Sequence, residues 1–390
     1  MDMVIKRIYH IFIRELYIMW RNPIYGFCVL LFPIVVAIFF TTLMGEGEPV
    51  NMPVGVVDQD NTATSRAMIR RLDAFQTTHV VAHYPNMNEA RNAIQRNEIY
   101  AFLLIPKGTT DGLLSSRQPK ISFYYSSVTL VAGSLLYRDL KTIASLGSAN
   151  VGMAKLAALG KTEKEIRTFL QPINIDLHMV GNPWANYNIY LSTVIAPGVL
   201  MIFMFLLVPY SIGTELKFHR SRQWMNMAGN NIHIAIAGKI LPQSVIFICV
   251  LLCYEFYIFY GLGFPHPGGI IPIVLVGILT VLACQCFGIF VFGLMPSLRM
   301  SMSICSLWSV ISFSACGATY PLFAMDSMIQ SMAQLFPLRH YYMIYQMCIF
   351  NGYPLFYAWF NVLALVIFLF LPMFSISHIK TAMLKYVYIP

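Results

Sequence analysis

Residues 256–298 read FYIFYGLGFPHPGGIIPIVLVGILTVLACQCFGIFVFGLMPSL, without one Asp, Glu, Lys or Arg. Ordinary soluble domains are about 25% charged and do not leave so long a run uncharged. Gly263-Phe264-Pro265-His266-Pro267-Gly268-Gly269 is turn chemistry, so the run is broken there rather than continuous. The part after the turn, 270–294, suffices to cross about 30 Å of hydrocarbon at about 1.5 Å per residue. The part before it extends an apolar run from 240 that only Glu255 interrupts.

Working outward, the runs 24–45, 177–214, 300–325 and 340–379 also lack ionised side chains. Six spans are expected, at 24–44, 190–212, 240–260, 270–294, 304–323 and 355–375. Pro33 and Pro197 fall inside two of them and are tolerable where neighbouring helices re-satisfy the freed carbonyls. The apolar run of the first span is too long for a cleaved leader and no A-x-A-like site follows it. The chain as a whole is 57% apolar and 11% charged, with a mean hydropathy of +0.64 and a net charge of +9. That composition argues against a soluble enzyme.

Soluble composition is confined to the stretch between the first two spans, which delimits a separate domain at 45–187. Within it, 54–58, 79–84, 100–105 and 121–125 read as strands and 62–74 and 87–96 as helices, so a small α/β layer is expected. From 128 to 170 the pattern is helical, with breaks expected near Gly147–Gly152 and Gly160. The fold class is therefore an α-helical polytopic membrane protein of six transmembrane helices with an extracytoplasmic α/β domain. Lys and Arg set the orientation. They flank the first span (Lys6, Arg7, Arg14, Arg21) and follow the second (Lys217, Arg220, Arg222, Lys239), whereas the 263–269 loop has none. Both termini are expected in the cytoplasm and the α/β domain outside. The eight cysteines all lie in or beside the spans and read as small apolar packing residues.

Residues 1–23 place Arg7, His10, Arg14 and Arg21 near one helical stripe with Ile5, Ile8, Ile11, Phe12, Leu16 and Met19 largely opposite, a basic amphipathic elbow for the headgroup layer. It serves either as a topology determinant or as a transmitter of motion. The cytoplasmic loop 213–239 joins basic residues to the apolar anchors Leu216, Phe218, Trp224, Met225 and Met227, a composition suited to docking a protein or to contacting lipid phosphate. Glu255 is an ionisable group within a span, hence a candidate for the translocation path or an interface, or else it reaches toward the outer headgroups. Asp326, Arg339 and His340 lie in an outer re-entrant segment, 324–353, and are read as satisfying helix ends there. Asp58 and Asp60, beside Thr62 and Ser65, read as a capped strand-to-helix turn rather than a metal or phosphate loop.

Four patterns carry a family resemblance. Pro53-Val-Gly-Val-Val-Asp-Gln-Asp-Asn-Thr-Ala-Thr-Ser-Arg66 and Tyr100-Ala-Phe-Leu-Leu-Ile-Pro106 lie in the α/β domain. Glu215 to Trp224, followed by Gly238-Lys239-Ile-Leu-Pro242, spans the cytoplasmic loop. Gly317-Ala-Thr-Tyr-Pro-Leu-Phe-Ala-Met325, followed by Leu335-Phe-Pro-Leu-Arg-His-Tyr341, precedes the last span. In order and spacing the chain resembles the permease subunit of type-2 ATP-binding-cassette exporters, in the branch with a large periplasmic domain. It departs from the family in carrying His219-Arg220 where a Gly-Thr pair is common, which leaves the coupling-helix register open.

The resemblance implies a coupling helix seated in a cleft of a cytoplasmic ABC ATPase, with Glu215, Arg222, Gln223, Trp224 and Met225 as coupling candidates. The chain has no G-x-x-x-x-G-K-[ST] loop, so no cofactor is expected in it, and ATP and Mg would be bound by the partner. A homodimer or a heterodimer with a related permease is implied, with membrane lipid, possible engagement of a periplasmic adaptor, and no nucleic acid. The expected role is export of a hydrophobic or amphiphilic substrate from a bacterial cytoplasm or inner leaflet. Two other classes stay open: a membrane-anchored receptor or assembly scaffold with an external sensor, and a membrane transferase using Asp326, Arg339 or His340 on a lipid-linked substrate. The tail, 379–390, is expected to be cytoplasmic.

Overall fold

The computed structural model describes residues 2–386 apart from 116, 172–177, 179–180 and 183–184. The chain divides into two compact units, Glu46–His178 and Met1–Gly45 with Met179–Pro390. The expected domain end at 187 follows a segment partly outside the described residues, as do the last four residues of the tail.

In the first unit, strands β1 (Met52–Asp58), β2 (Thr78–His83), β3 (Ala101–Ile105) and β4 (Ser122–Tyr125) form one sheet of order β2-β1-β3-β4. β1 runs parallel to both neighbours and β4 antiparallel to β3. Apolar runs in β1 and β3 are buried on both faces, as parallel strands require. Val54, Val56 and Leu103 pack with Ile69, Leu72 and Leu140 on one side; Val57 and Phe102 pack with Ala90 and Ala93 on the other. The expected break near Gly147–Gly152 is absent: Leu130–Ala158 is one helix, because nothing forces Gly147 to use its freedom. The break at Gly160 is present, with a φ of 73°. A short helix at Thr109–Leu114 was not expected. Asp58 accepts from the backbone of Asp60 and Asn61 and from Ser65 Oγ, while Thr62 and Ser65 form a capping box, so these groups are occupied by the turn itself.

The second unit is helical. Five of its described helices are long and apolar enough to cross a membrane: Pro23–Leu43, Tyr187–Lys217, Ile232–Gly261, Ile270–Leu294 and Leu355–Lys385. The span expected at 304–323 is not among these five. Its helix runs Leu298–Ala315, includes Arg299 and is rich in serine, and the chain leaves helix at Cys316 because Gly317, at φ 102°, and Pro321 follow. Within Pro23–Leu43 a π turn at Gly26–Leu31 precedes Pro33, which has no N–H to give the ladder. Tyr187–Lys217 packs on Leu298–Ala315 and Ile270–Leu294, and the elbow, Asp2–Arg21, lies along Ile232–Phe256. Gly238 permits that approach: a Cβ there would sit 2.8 Å from Ile11 Cβ. A distinct apolar cluster, including Ile11, Trp224, Met225, Ala235, Phe292 and Ile379, fills this end of the unit.

Candidate functional site

Four charged residues packed beside the loop helix, Glu15, Glu215, Lys239 and the largely covered Arg14, are held in the protein rather than in solvent. The elbow turns Ile8, Ile11, Glu15 and Met19 inward at helical spacing, so Glu15 occupies an apolar face. Glu215 is fully buried in the last turn of Tyr187–Lys217, and Lys239 and Glu15 are 1% exposed. Both oxygens of Glu215 accept from Arg14 Nη2, at 3.0 and 2.8 Å. Lys239 Nζ lies 2.8 Å from both Glu15 and Glu215, and Arg14 Nη1 donates to Glu15 at 2.8 Å. Two acids and two bases thus neutralise one another away from water. Such a cluster is weak evidence for stability, but removing one member leaves an uncompensated buried charge and costs about 3–5 kcal/mol. Lys239 Nζ also lies 5.2 Å above the Trp224 ring, which brings the loop helix Ser221–Met227 into the same assembly.

That loop helix begins after an abrupt stop. Tyr187–Lys217 ends with Arg220 N–H donating to the Glu215 carbonyl and His219 N–H to the Leu216 carbonyl, with His219 at φ 55°. This is a Schellman-type ending, normally made by glycine. His219 is the left-handed residue of this ending, a position that glycine fills without strain.

Of the five coupling candidates, Glu215, Trp224 and Met225 point into the core, whereas Arg222 and Gln223 are exposed. The inward residues therefore position the helix and the outward ones present it. Phe218, 55% exposed with Arg220 and Lys217 over its ring, extends the outward face. Sequence reading missed the partners Glu15 and Lys239; the available signal was an acid at i+4 from Ile11, on the face the apolar pattern buries.

Glu255 is 1% exposed and accepts from Tyr341 Oη at 3.3 Å through Oε1. Its Oε2 has no hydrogen-bond partner, nor has the nearby Tyr345 hydroxyl. A Cβ on Gly277 would lie 3.2 Å from Oε2, so that glycine leaves room for the carboxyl. Asp326, Arg339 and His340 are not assembled into one centre. Asp326 is exposed and caps Ser327–Ala333 by accepting from Met328 N–H. His340 is bonded at both ring nitrogens, Nδ1 2.9 Å from Asn361 Oδ1 and Nε2 2.8 Å from the Gln334 carbonyl. Arg339 is buried with two guanidinium nitrogens unpartnered.

Residues 24–376 match the family described as ABC-2 family transporter proteins. The chain belongs to this family. It is also similar to the linearmycin resistance permease protein LnrN of Bacillus subtilis (strain 168), at 20% identity over 345 residues, covering 83% of this chain and 86% of that one. As an ABC-2 family transporter it is a membrane permease, and membership implies an ATPase partner. The cluster at Glu215 is then the place where an ABC-2 permease's loop helix joins its spans.

Proposed function

We propose that the chain is the membrane-spanning subunit of an ATP-driven exporter for a hydrophobic or amphiphilic substrate. The observation that carries this reading is the loop helix itself: one face is held by Trp224 against the buried Glu15–Lys239–Glu215–Arg14 cluster, and the other presents Arg222 and Gln223 outward. A cytoplasmic ATPase that binds the outward face and closes on ATP pulls a helix that cannot slide independently. The displacement passes into the elbow and two spans together. ATP and Mg belong to that partner.

In this reading both termini and the loop helix are cytoplasmic, in keeping with the Lys and Arg distribution. The α/β unit stands outside a bacterial inner membrane, where it caps the exit or meets a periplasmic partner. Two permease chains, identical or related, face two ATPases. Glu255, with its unoccupied oxygen, lines the path the substrate takes between them. The resistance named for the Bacillus subtilis relative supports an outward direction.

The test is copurification with the cognate ATPase. Arg222→Glu with Gln223→Glu is expected to weaken the complex about tenfold, as charge reversal at an interface rim does. Lys239→Met with Glu15→Gln, which removes a compensated pair, is expected to preserve the complex while lowering substrate-stimulated ATP hydrolysis. Failure of the unaltered chain to retain any ATPase would overturn the proposal and favour a receptor or scaffold.

A further inference from the structure

The α/β unit contains a cleft of about 1450 Å³ between the helix Ala63–Asp73, the segment entering β4 and the helix Leu130–Ala158. Its floor is apolar, with Phe75, Ile121 and Ile143. Its lining includes four cations, Arg71, Arg117, Lys120 and Lys155, and neither Asp nor Glu occurs among the described residues that line it. Arg71, Arg117 and Lys120 are exposed and make no ion pair among the described residues. Two other exposed arginines of the unit do have acids beside them: Arg96 pairs with Glu98 and Arg138 with Glu48. The cleft thus concentrates one sign of charge above an apolar surface.

We propose that this cleft binds an amphiphile with an acidic headgroup, carboxylate or phosphate, its apolar body lying on the floor and its charge between Arg71, Arg117 and Lys120. The volume exceeds the roughly 300–1,000 Å³ of common small-molecule pockets, which suits an extended apolar body. Arginine forks match both headgroups bidentately. A single aromatic in the lining, Phe75, offers little for stacking bases, which separates this site from a nucleic-acid groove. The assignment does not depend on transport, since it concerns binding by this unit alone.

The test uses the full-length chain in nanodiscs of phosphatidylcholine, photolabelled with a diazirine-bearing hexadecanoic acid and mapped by peptide mass spectrometry. Labelling is expected in peptides from 63–155 as well as in the spans, whose labelling serves as the internal reference. Arg71→Gln, Arg117→Gln and Lys120→Gln together are expected to lower cleft labelling about tenfold at unchanged span labelling, the equivalent of losing a few screened ion pairs. These side chains are exposed, so the fold does not rest on them. Gly147→Trp gives an independent variant: a Cβ there meets nothing within 4 Å, and the indole fills the cleft without altering its charge. An alkylammonium carrying the same diazirine is expected to label the spans only. Competition by phosphatidic acid placed in the bilayer identifies membrane lipid as the source, and competition by added dodecyl phosphate alone identifies a dispersed amphiphile. Equal cleft labelling by the acid and the ammonium, or labelling indifferent to both variants, would overturn the proposal.

Discussion

At the scale of single residues, His219 shows what a β-carbon costs in a left-handed turn. An L-residue with a β-carbon held at a φ of 55° is strained by about 1 kcal/mol relative to glycine. His219→Gly is therefore expected to stabilise the helical unit by about 0.5–1 kcal/mol. His219→Val, β-branched, is expected to destabilise it, and thermal unfolding in detergent reads both. Equal midpoints for the two variants would show that the turn does not hold its observed conformation. The loop pattern containing this residue was legible in the sequence; its left-handed backbone was not, because histidine carries no marker of φ as glycine does. Likewise Glu215 was legible as a candidate, but its partner Arg14 stands 201 residues away, and periodicity carries no information about such pairs.

At the scale of elements, the elbow is two-sided in a way its basic stripe alone did not disclose. Ile11, Glu15 and Met19 face protein, while Tyr9, Ile13, Tyr17 and Trp20 are exposed, Trp20 by 90%. Aromatic residues suit the headgroup layer, so the second stripe matches a helix lying at the membrane surface. Its inward face depends on Gly238. Gly238→Val is expected to destabilise the unit by about 1–3 kcal/mol, since either Ile11 or the whole elbow must move. Accessibility of a cysteine placed at Ile8 to a water-soluble maleimide is expected to rise in that variant, and no change would mean the groove adapts without displacing the elbow. Strands and most helices matched their expected positions because alternation, caps and turn residues act locally. The helix at Leu298–Ala315 escaped because its serines and Arg299 dilute the hydropathy by which spans are recognised, while the uncharged loop beyond Cys316 imitates one.

At the scale of the molecule, the two units carry different kinds of buried charge. In the helical unit the four-member cluster cancels itself. In the α/β unit Asp139 is 4% exposed, and burial pushes its carboxyl above the ordinary value although Arg138 and the Thr77 hydroxyl bond to it. An unfolded Asp139 ionises at lower pH than a folded one. The unit therefore loses stability as pH rises through the window above about 3.9, the ordinary aspartate value, and keeps that penalty at neutrality. Asp139→Asn is expected to flatten this part of the pH profile and to raise the neutral-pH midpoint of the α/β unit, leaving the helical unit's transition unchanged. Calorimetry across pH 4–7 checks it, those bounds being approximate and set by the same linkage. A lower neutral midpoint would show that the charged form is the stabilising one.

The closed charge cluster also has a temporal meaning. Arg14 and Glu15 leave the ribosome early, whereas Lys239, the bridge between Glu15 and Glu215, follows on the order of tens of seconds later at ordinary elongation rates. Until then Glu15 has only its neighbour Arg14 as a cation, and the inward face of the elbow lacks the helix along which it packs. Insertion of the helix that begins at Ile232 completes the set. The four-member cluster can therefore close only after the helix Ile232–Phe256 has been synthesised, an order set by the sequence positions of its members.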